Sequence, residues 1–350
     1  MTMRETDTEE QELERGAISR RHVLGVLAAA TPLAATSGRA TARTTADRVA
    51  RTDQNADSRP TGSDLVFLSV GDYDCTLVSD GFFEYPRPGE LFFTSAPRDE
   101  LADALADRGI ELATWNFYRS PYWGFVVEAD GQTVLINTGA GETAPTASEL
   151  RENLRTAGID PADVDVVFLT HAHPDHIGGV VDETGQPAFP RATYAVSQDE
   201  WEFWLGDPDL SSLRVGEELK EALRAAPKAL LPSVEAQAEL IDGETELAPG
   251  VTAVPASGHT PVHFAGEVAS AGERLLHLGD AALHPLHVPR PDWVSALDIA
   301  PEQTVATRRE LYSRAVQTDA EVFGDHFPSP GLGHVRRRDD GWSWNPVRSG

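Results

Sequence analysis

"THAHPDHIGG", residues 170–179, places three histidines and an aspartate within ten positions. The chain holds only 11 histidines in 350 residues, so such clustering needs a chemical reason. The apolar run "VDVVFLT" (164–170) leads straight into it and reads as a buried strand. In an extended segment leaving a strand, positions i and i+2 point the same way, so His171 and His173 can face one cation. Asp175 and His176 follow where a helix is expected to begin, and they point to a second position close by. Gly178 and Gly179 allow backbone to pack tightly behind these residues. Imidazole with carboxylate and no thiolate suits zinc, or manganese, iron or cobalt.

Four residues cannot complete a site for two ions, and three later stretches supply the rest. "ASGHTPVH" (256–263) places His259 after the strand-like "VTAVPAS". "LLHLGD" (275–280) ends on Asp280, and "VFGDHFPSPGLGH" (322–334) places His326 just after a short apolar run. Side chains at strand ends converge at one rim of a sheet, where sites in α/β proteins usually sit. His326 is preferred to His334 because it ends the apolar run "AEVF" through a short turn. His263, His284 and His287 are candidates only for orienting a ligand through the other ring nitrogen.

Working outward, strand-like stretches include "YDCTLVSDGFF" (73–83) and "YWGFVVEADGQTVLINTGAG" (122–141), the second broken by a hairpin signal at "ADGQ". "ASELRENLRTAGI" (147–159) has helical spacing, as do residues 212–226 and 302–318. Helices and strands alternate but hairpins are frequent, which predicts an α/β fold with mixed sheets. Cys75 is the single cysteine, which excludes an intramolecular disulfide; its apolar flanks predict a core position.

The formal net charge is −27, and Lys220 and Lys228 are the only lysines. A carboxylate-rich surface of this kind is expected of a protein adapted to high salt, where self-repulsion is screened. It opposes attachment to nucleic acid or anionic lipid. Residues 1–42 read as an export signal. Ser19, Arg20 and Arg21 precede an Ala-rich apolar stretch (23–35) too short to span a bilayer stably, and "ATA" (40–42) offers small residues for cleavage. The segment resembles a twin-arginine signal, which implies export of a folded protein. Residues 43–62 are polar and aperiodic and read as a disordered linker, leaving 63–350 as one domain.

The order His171, His173, Asp175, His176, His259, Asp280, His326 resembles that of the metallo-β-lactamase superfamily, over about residues 64–350. "LINTGAG" (135–141) is similar to an early signature of that family, with Asn137 where an Asp is usual. "FPRATYAVSQDEWEFW" (189–204) and "HFPSPGLGHV" (326–335) resemble the branch that contains methyl parathion hydrolase. The resemblance implies a four-layer αββα sandwich with two divalent metal ions, zinc foremost, at one edge of the sheets. It implies that His171, His173 and His259 bind the first ion, that Asp175, His176 and His326 bind the second, and that Asp280 bridges. The expected activity is hydrolysis of an ester, lactone or organophosphate bond by a metal-bridging hydroxide, with Asp175 and Asp280 as the catalytic carboxylates. The expected partner is a small-molecule substrate.

No G-x-S-x-G and no Gly-rich phosphate loop competes with this chemistry. Trp115, Phe117, Tyr118, Tyr122, Trp123, Trp201 and Trp204 are candidates for an apolar pocket over the metals. Lactone-cleaving members often carry a Tyr three positions after the bridging Asp, where this chain has Leu283. Two other readings stand beside the hydrolase of neutral substrates: a phosphodiesterase or nuclease of the same fold, and a non-catalytic metal-binding paralogue.

The export reading yields a direct test. Arg20→Lys with Arg21→Lys keeps the charge but removes both guanidinium groups. The double variant is expected to accumulate unprocessed in the cytoplasm, as read by immunoblot of cell fractions. Secretion equal to the parent chain would point to another route.

Overall fold

Among the residues described by a computed structural model (64–339 and 341–347), fourteen strands form two seven-stranded sheets. The expected export signal and linker lie outside the described residues. The first sheet runs in chain order through β1 (Leu65–Val70), β2 (Tyr73–Pro86), β3 (Phe117–Ala129), β4 (Gln132–Ile136), β5 (Val166–Phe168), β6 (Thr193–Ser197) and β7 (Ala238–Ile241). Its first four strands are antiparallel and the pairs from β4 to β7 are parallel. The second sheet also runs in chain order, through β8 (Thr245–Ala248), β9 (Val251–Pro255), β10 (Phe264–Ser270), β11 (Glu273–His277), β12 (Glu321–Phe323), β13 (Leu332–Arg338) and β14 (Gly341–Pro346). Within it only β11 and β12 pair in parallel.

The period-2 alternation of strand side chains decides the layering. Phe125 and Val127 of β3, and Val134 and Ile136 of β4, face the other sheet and meet Phe264, Val268, Leu275 and Phe323. The residues between them, Val126 and Leu135, face outward and are covered by helices. Strands covered on both faces read as unbroken apolar runs, which is why "GFVV" and "VVFL" show no alternation. The outer face of the first sheet is covered by α3 (Leu150–Thr156), α5 (Gln198–Leu205) and α6 (Glu217–Leu230), through Leu154, Trp204 and Leu223. The outer face of the second sheet is covered by α7 (Pro301–Thr318), through Leu311 and Tyr312. The result is the αββα sandwich of the metallo-β-lactamase type. Two further helices, α1 (Pro88–Phe92) and α2 (Arg98–Ala106), cap the rim with a separate cluster that includes Phe93, Trp115 and Trp293.

Local chemistry places the turns. The β3–β4 hairpin turns through Asp130 and Gly131, both at positive φ (48° and 85°), as a two-residue turn matching the strand twist requires. The helix expected over 212–226 starts later, at Glu217, behind a Gly216 N-cap, with Glu217 and Glu218 in its first turn. The short helix α4 (Pro174–Ile177) begins with Pro174 at its first position. It rests on the β4 exit loop so closely that a Cβ on Gly178 would lie 1.8 Å from the Ala140 carbonyl oxygen. Only glycine permits that approach.

A bulge in β2 at Asp80 and Gly81 turns the Asp80 carboxylate toward this same loop. Its oxygens accept from the backbone N–H of Gly141 (2.9 Å), Ser148 (3.1 Å) and Leu150 (2.9 Å), closing the loop between β4 and α3. Asp80→Ala would strand three donors, two of them in fully buried contacts. The expected cost is about 3 kcal/mol of unfolding free energy, since each unpaired buried group costs ~1–3 kcal/mol and the loop relaxes in part. Urea unfolding followed by circular dichroism measures it, and a loss below about 0.5 kcal/mol would show that the clip is dispensable.

Candidate metal centre

Four strands end at one rim and pass directly into the residues singled out by the sequence. β5 leads to His171 and His173 and then to α4 with Asp175 and His176; β9 leads to His259, β11 to Asp280 and β12 to His326. Ligand-capable atoms of His171, His173, His259 and Asp280 all lie within 4.8 Å of one another, and so do those of Asp175, His176 and His326. All seven side chains are buried except Asp175, which is partly exposed toward a cavity. His334, on β13, lies outside both groups.

Asp280 joins the two halves. Its Oδ2 faces His259 Nε2 at 3.1 Å and His171 Nε2 at 3.6 Å. Its Oδ1 faces His326 Nε2 at 3.0 Å and His176 Nε2 at 3.2 Å. Asp175 Oδ2 closes the second half, 3.6 Å from His326 Nε2 and 3.9 Å from His176 Nε2.

Counting protons shows that the cluster is built for added positive charge. His259 Nδ1 lies 3.1 Å from Asp298 Oδ1 and donates to it, which leaves the Nε2 lone pair directed at Asp280. His173 Nδ1 sits 3.0 Å from that same Nε2. A bare imidazole nitrogen facing a carboxylate oxygen at such a distance requires a proton or a cation between them. His171 Nε2, both ring nitrogens of His176 and Asp280 Oδ1 are buried with no hydrogen-bond partner. Burial drives the protons off His171 and His173, whose neighbours are also imidazoles, and both titrate well below the usual histidine range. Burial opposes charge on His259 and His176 too. There the carboxylates prevail, Asp280 and Asp298 holding His259 at about 10, and Asp280 and Asp175 holding His176 at about 9. Asp280 is itself held well below the carboxylate range: burial resists ionisation, but His326, His176 and His171 outweigh it. Five imidazoles and two carboxylates in two adjoining groups form a His/Asp metal-binding cluster that suits two divalent ions.

A second ring of contacts fixes several of the donors. Asn137 Oδ1 accepts from the Thr170 N–H (3.1 Å) and hydroxyl (3.0 Å). With its hydrogen so used, the Thr170 hydroxyl accepts from His171 Nδ1 at 3.2 Å, leaving Nε2 bare for the cluster. An amide at position 137 therefore performs this task through its oxygen alone. Glu200 Oε1 accepts from the Ala172 N–H (3.1 Å) and Trp204 Nε1 (2.7 Å), and so anchors the strand exit between His171 and His173. His263 Nε2 accepts from the Asp280 N–H at 2.9 Å; burial holds this imidazole down at about 3, so it stays a neutral acceptor. Ser120 Oγ meets His326 Nδ1 at 2.8 Å. His284 and His287 lie in the buried loop after Asp280, each accepting a backbone N–H through Nδ1, and belong to neither ligand group.

Asp298, Ser120, Glu200 and Asp325, which pairs with His277 at 3.3 Å, were not singled out by the sequence. None sits in a motif of its own; Asp298 is one carboxylate in an aperiodic loop, "VSALDIA" (294–300). The aromatic expectation needs correction. A cavity of about 390 Å³ opens over Asp175, Asp280 and His326, and of the seven aromatics proposed for its wall only Tyr122 lines it. Trp123 packs between the sheets, Trp201 and Trp204 project from α5 into the core beneath it, Trp204 standing edge-on to His173 at 5.4 Å, Trp115 and Tyr118 build the rim cluster, and Phe117 is exposed. Strand alternation and helix docking claimed them first. The apolar wall comes instead from Phe83, Phe92, Leu219, Leu223, Leu283 and Leu297.

Comparison with known proteins agrees with this geometry. The chain is 25% identical to an N-acyl homoserine lactonase of Bacillus cereus over 195 residues, covering 50% of this chain and 68% of the lactonase. Among solved structures, the dizinc quorum-quenching lactonase AidC, in complex with a product, superposes with a TM-score of 0.75 at 25% identity, covering 82% of this chain and 99% of that one. AbOPH, a hydrolase in the beta lactamase superfamily, shares the fold with a TM-score of 0.73 at 24% identity, covering 83% and 99%. The sequence model of the metallo-beta-lactamase superfamily matches residues 119–326, more than half of the chain and a span that holds all seven clustered side chains. The chain belongs to the metallo-beta-lactamase superfamily, as a metal-dependent hydrolase of that fold.

Proposed function

We propose that the chain is a dizinc hydrolase of small, uncharged esters, lactones or organophosphate triesters. His171, His173 and His259 would hold one ion and Asp175, His176 and His326 the other, with Asp280 between the two sets. The observation that carries this reading is the division of the Asp280 oxygens between two sets of imidazoles beneath an apolar cavity. The similarity to N-acyl homoserine lactonases supports a lactone among the substrates. The sequence resemblance to the methyl parathion hydrolase branch supports a triester. We further propose export by the twin-arginine route, which suits a protein that folds around its metal before crossing.

Two divalent ions at this centre supply Lewis acidity and a hydroxide nucleophile at neutral pH. The protein supplies the rest. The apolar wall excludes water and seats an uncharged substrate. Asp280 is 4% exposed at its side chain and stays ionised, so it keeps the charge balance of the centre. Asp175, 16% exposed and on the cavity side, is placed to take up a proton at its carboxylate and return it to the leaving group. The cavity mouth carries Arg87 and Arg214 but also Glu90 and Glu218, and Arg87 is paired with Glu90 at 3.1 Å. With a net charge of −27, this mouth disfavours the phosphodiester of a nucleic acid. Among the described residues, no helix is long and apolar enough to cross a membrane.

Metal analysis by mass spectrometry after desalting is expected to find two ions per chain, and chelation to abolish turnover. His326→Ala is expected to fall toward one ion and lose most activity, while His334→Ala keeps both. Full activity without metal, or loss of an ion in His334→Ala, contradicts the assignment.

A substrate panel separates the remaining readings. 4-Nitrophenyl butyrate, N-hexanoyl homoserine lactone and paraoxon represent the neutral classes, and bis(4-nitrophenyl) phosphate the diester. Turnover is expected among the first three and to be at least about 100-fold slower on the diester, a loss of ~2.7 kcal/mol in transition-state binding. Preference for the diester supports a phosphodiesterase; a fully metallated chain that turns over none of them supports a binding paralogue.

A further inference from the structure

Two phenols stand on the cavity side of the cluster without a part in the chemistry above. Tyr85, near the end of β2, has its hydroxyl 3.3 Å from Asp175 Oδ2. Tyr122, on β3, has its hydroxyl 3.0 Å from that of Tyr85. Both line the cavity together with Asp175, Asp280 and His326. The Tyr85 ring is gripped edge-on by Phe83 at 5.0 Å and Phe92 at 5.3 Å, and stands edge-on to His326 at 6.5 Å. Its position is therefore fixed by aromatic packing, while the O–H bond can still turn about the C–O axis.

The order of hydrogens along this chain follows from valence. An ionised carboxylate only accepts, so Tyr85 donates to Asp175. Tyr85 has one hydrogen, so Tyr122 is the donor in the contact between the two hydroxyls. The chain runs from Tyr122 through Tyr85 toward the reacting edge. At 3.3 Å the last contact is long for a hydroxyl on a carboxylate, which settles at about 2.5–2.7 Å when strong. The Tyr85 hydrogen is thus weakly held by Asp175, at the wall of the cavity a substrate must enter. Leu283, which also lines the cavity, offers no donor.

We propose that Tyr85 is a catalytic hydrogen-bond donor: with substrate in the cavity, its O–H turns from Asp175 to the substrate oxygen on which negative charge builds, and Tyr122 donates to it from behind. This rests on the hydrolase reading of the same site. A preorganised donor at a developing oxyanion stabilises the transition state more than the ground state, so its removal reduces kcat and spares KM.

Tyr85→Phe and Tyr122→Phe, both loaded with zinc, test it. For Tyr85→Phe the expected loss in kcat is about 10²–10³-fold, the usual cost of one oxyanion donor, with KM changed by less than about threefold and two ions still bound. Tyr122→Phe is expected to lose less, because it acts only through Tyr85. Binding of methylphosphonate, read by calorimetry on the zinc-loaded protein, gives a measure independent of turnover. It is expected to weaken by about 10-fold or more in Tyr85→Phe, as for loss of a hydrogen bond to a charged group. Values of kcat and phosphonate affinity within about twofold of the parent overturn the proposal. So does loss of an ion in Tyr85→Phe, which makes the phenol a prop for Asp175. If the parent chain turns over none of the panel, the hydrolase reading fails, and the phosphonate affinities alone decide Tyr85.

Discussion

The Asp280 carboxylate is buried with imidazoles on both oxygens, at 3.1 and 3.6 Å on one side and 3.0 and 3.2 Å on the other. An ionised carboxylate in the interior is tolerated only when positive charge surrounds it. Burial strips the protons from His171 and His173, so only His176, His259 and His326, held up by the carboxylates, offer that charge, and several ring nitrogens have no partner. The fold brings together, at one point, four chain segments separated by up to about 150 residues whose buried donors suit divalent cations. That requirement orders much of the surrounding structure.

Meeting it takes rigid supports. The segments that carry the donors leave β5, β9, β11 and β12 at the same rim, so the two sheets hold their origins while the inter-sheet core of Phe125, Phe168, Phe264 and Phe323 keeps the sheets apart. Each exit is then pinned by a polar contact: Asn137 to Thr170, Glu200 to Ala172, Asp298 to His259, His263 to the Asp280 backbone and Ser120 to His326. For His171, His259 and His326 these contacts select the ring nitrogen turned inward, which is how the surroundings of a metal site set its donors. Asp298 is itself buried beside Arg308, whose guanidinium lies 3.7 Å away, so the carboxylate behind His259 has a countercharge. The same rim leaves one side open, where Asp175 and the phenol of Tyr85 meet the apolar cavity.

Much of this was legible in the sequence because it is local. The run His171, His173, Asp175, His176 follows a buried strand immediately, and His259, Asp280 and His326 each end an apolar run. The α/β class with mixed sheets followed from alternating strands and helices with frequent hairpins, and the four-layer sandwich from the family resemblance. The pinning residues were not legible, because they reach the centre by tertiary pairing: Ser120 lies 206 positions from His326 and Asp298 lies 39 from His259. The aromatic runs misled for a related reason. Residues 117–125 belong to β3, whose side chains divide between two faces, so neighbours in sequence, Tyr122 and Trp123, end in the cavity and the inter-sheet core respectively. Edge strands such as β7, with Leu240 exposed, carry too little apolar alternation to stand out.

Sharing of Asp280 by two cations, as proposed, is read out by anomalous diffraction from crystals of the zinc-loaded protein. Two anomalous peaks are expected, about 3.5–4 Å apart, each within bonding distance of a different oxygen of Asp280. A single peak, or two peaks of which one lies away from Asp280, would contradict it.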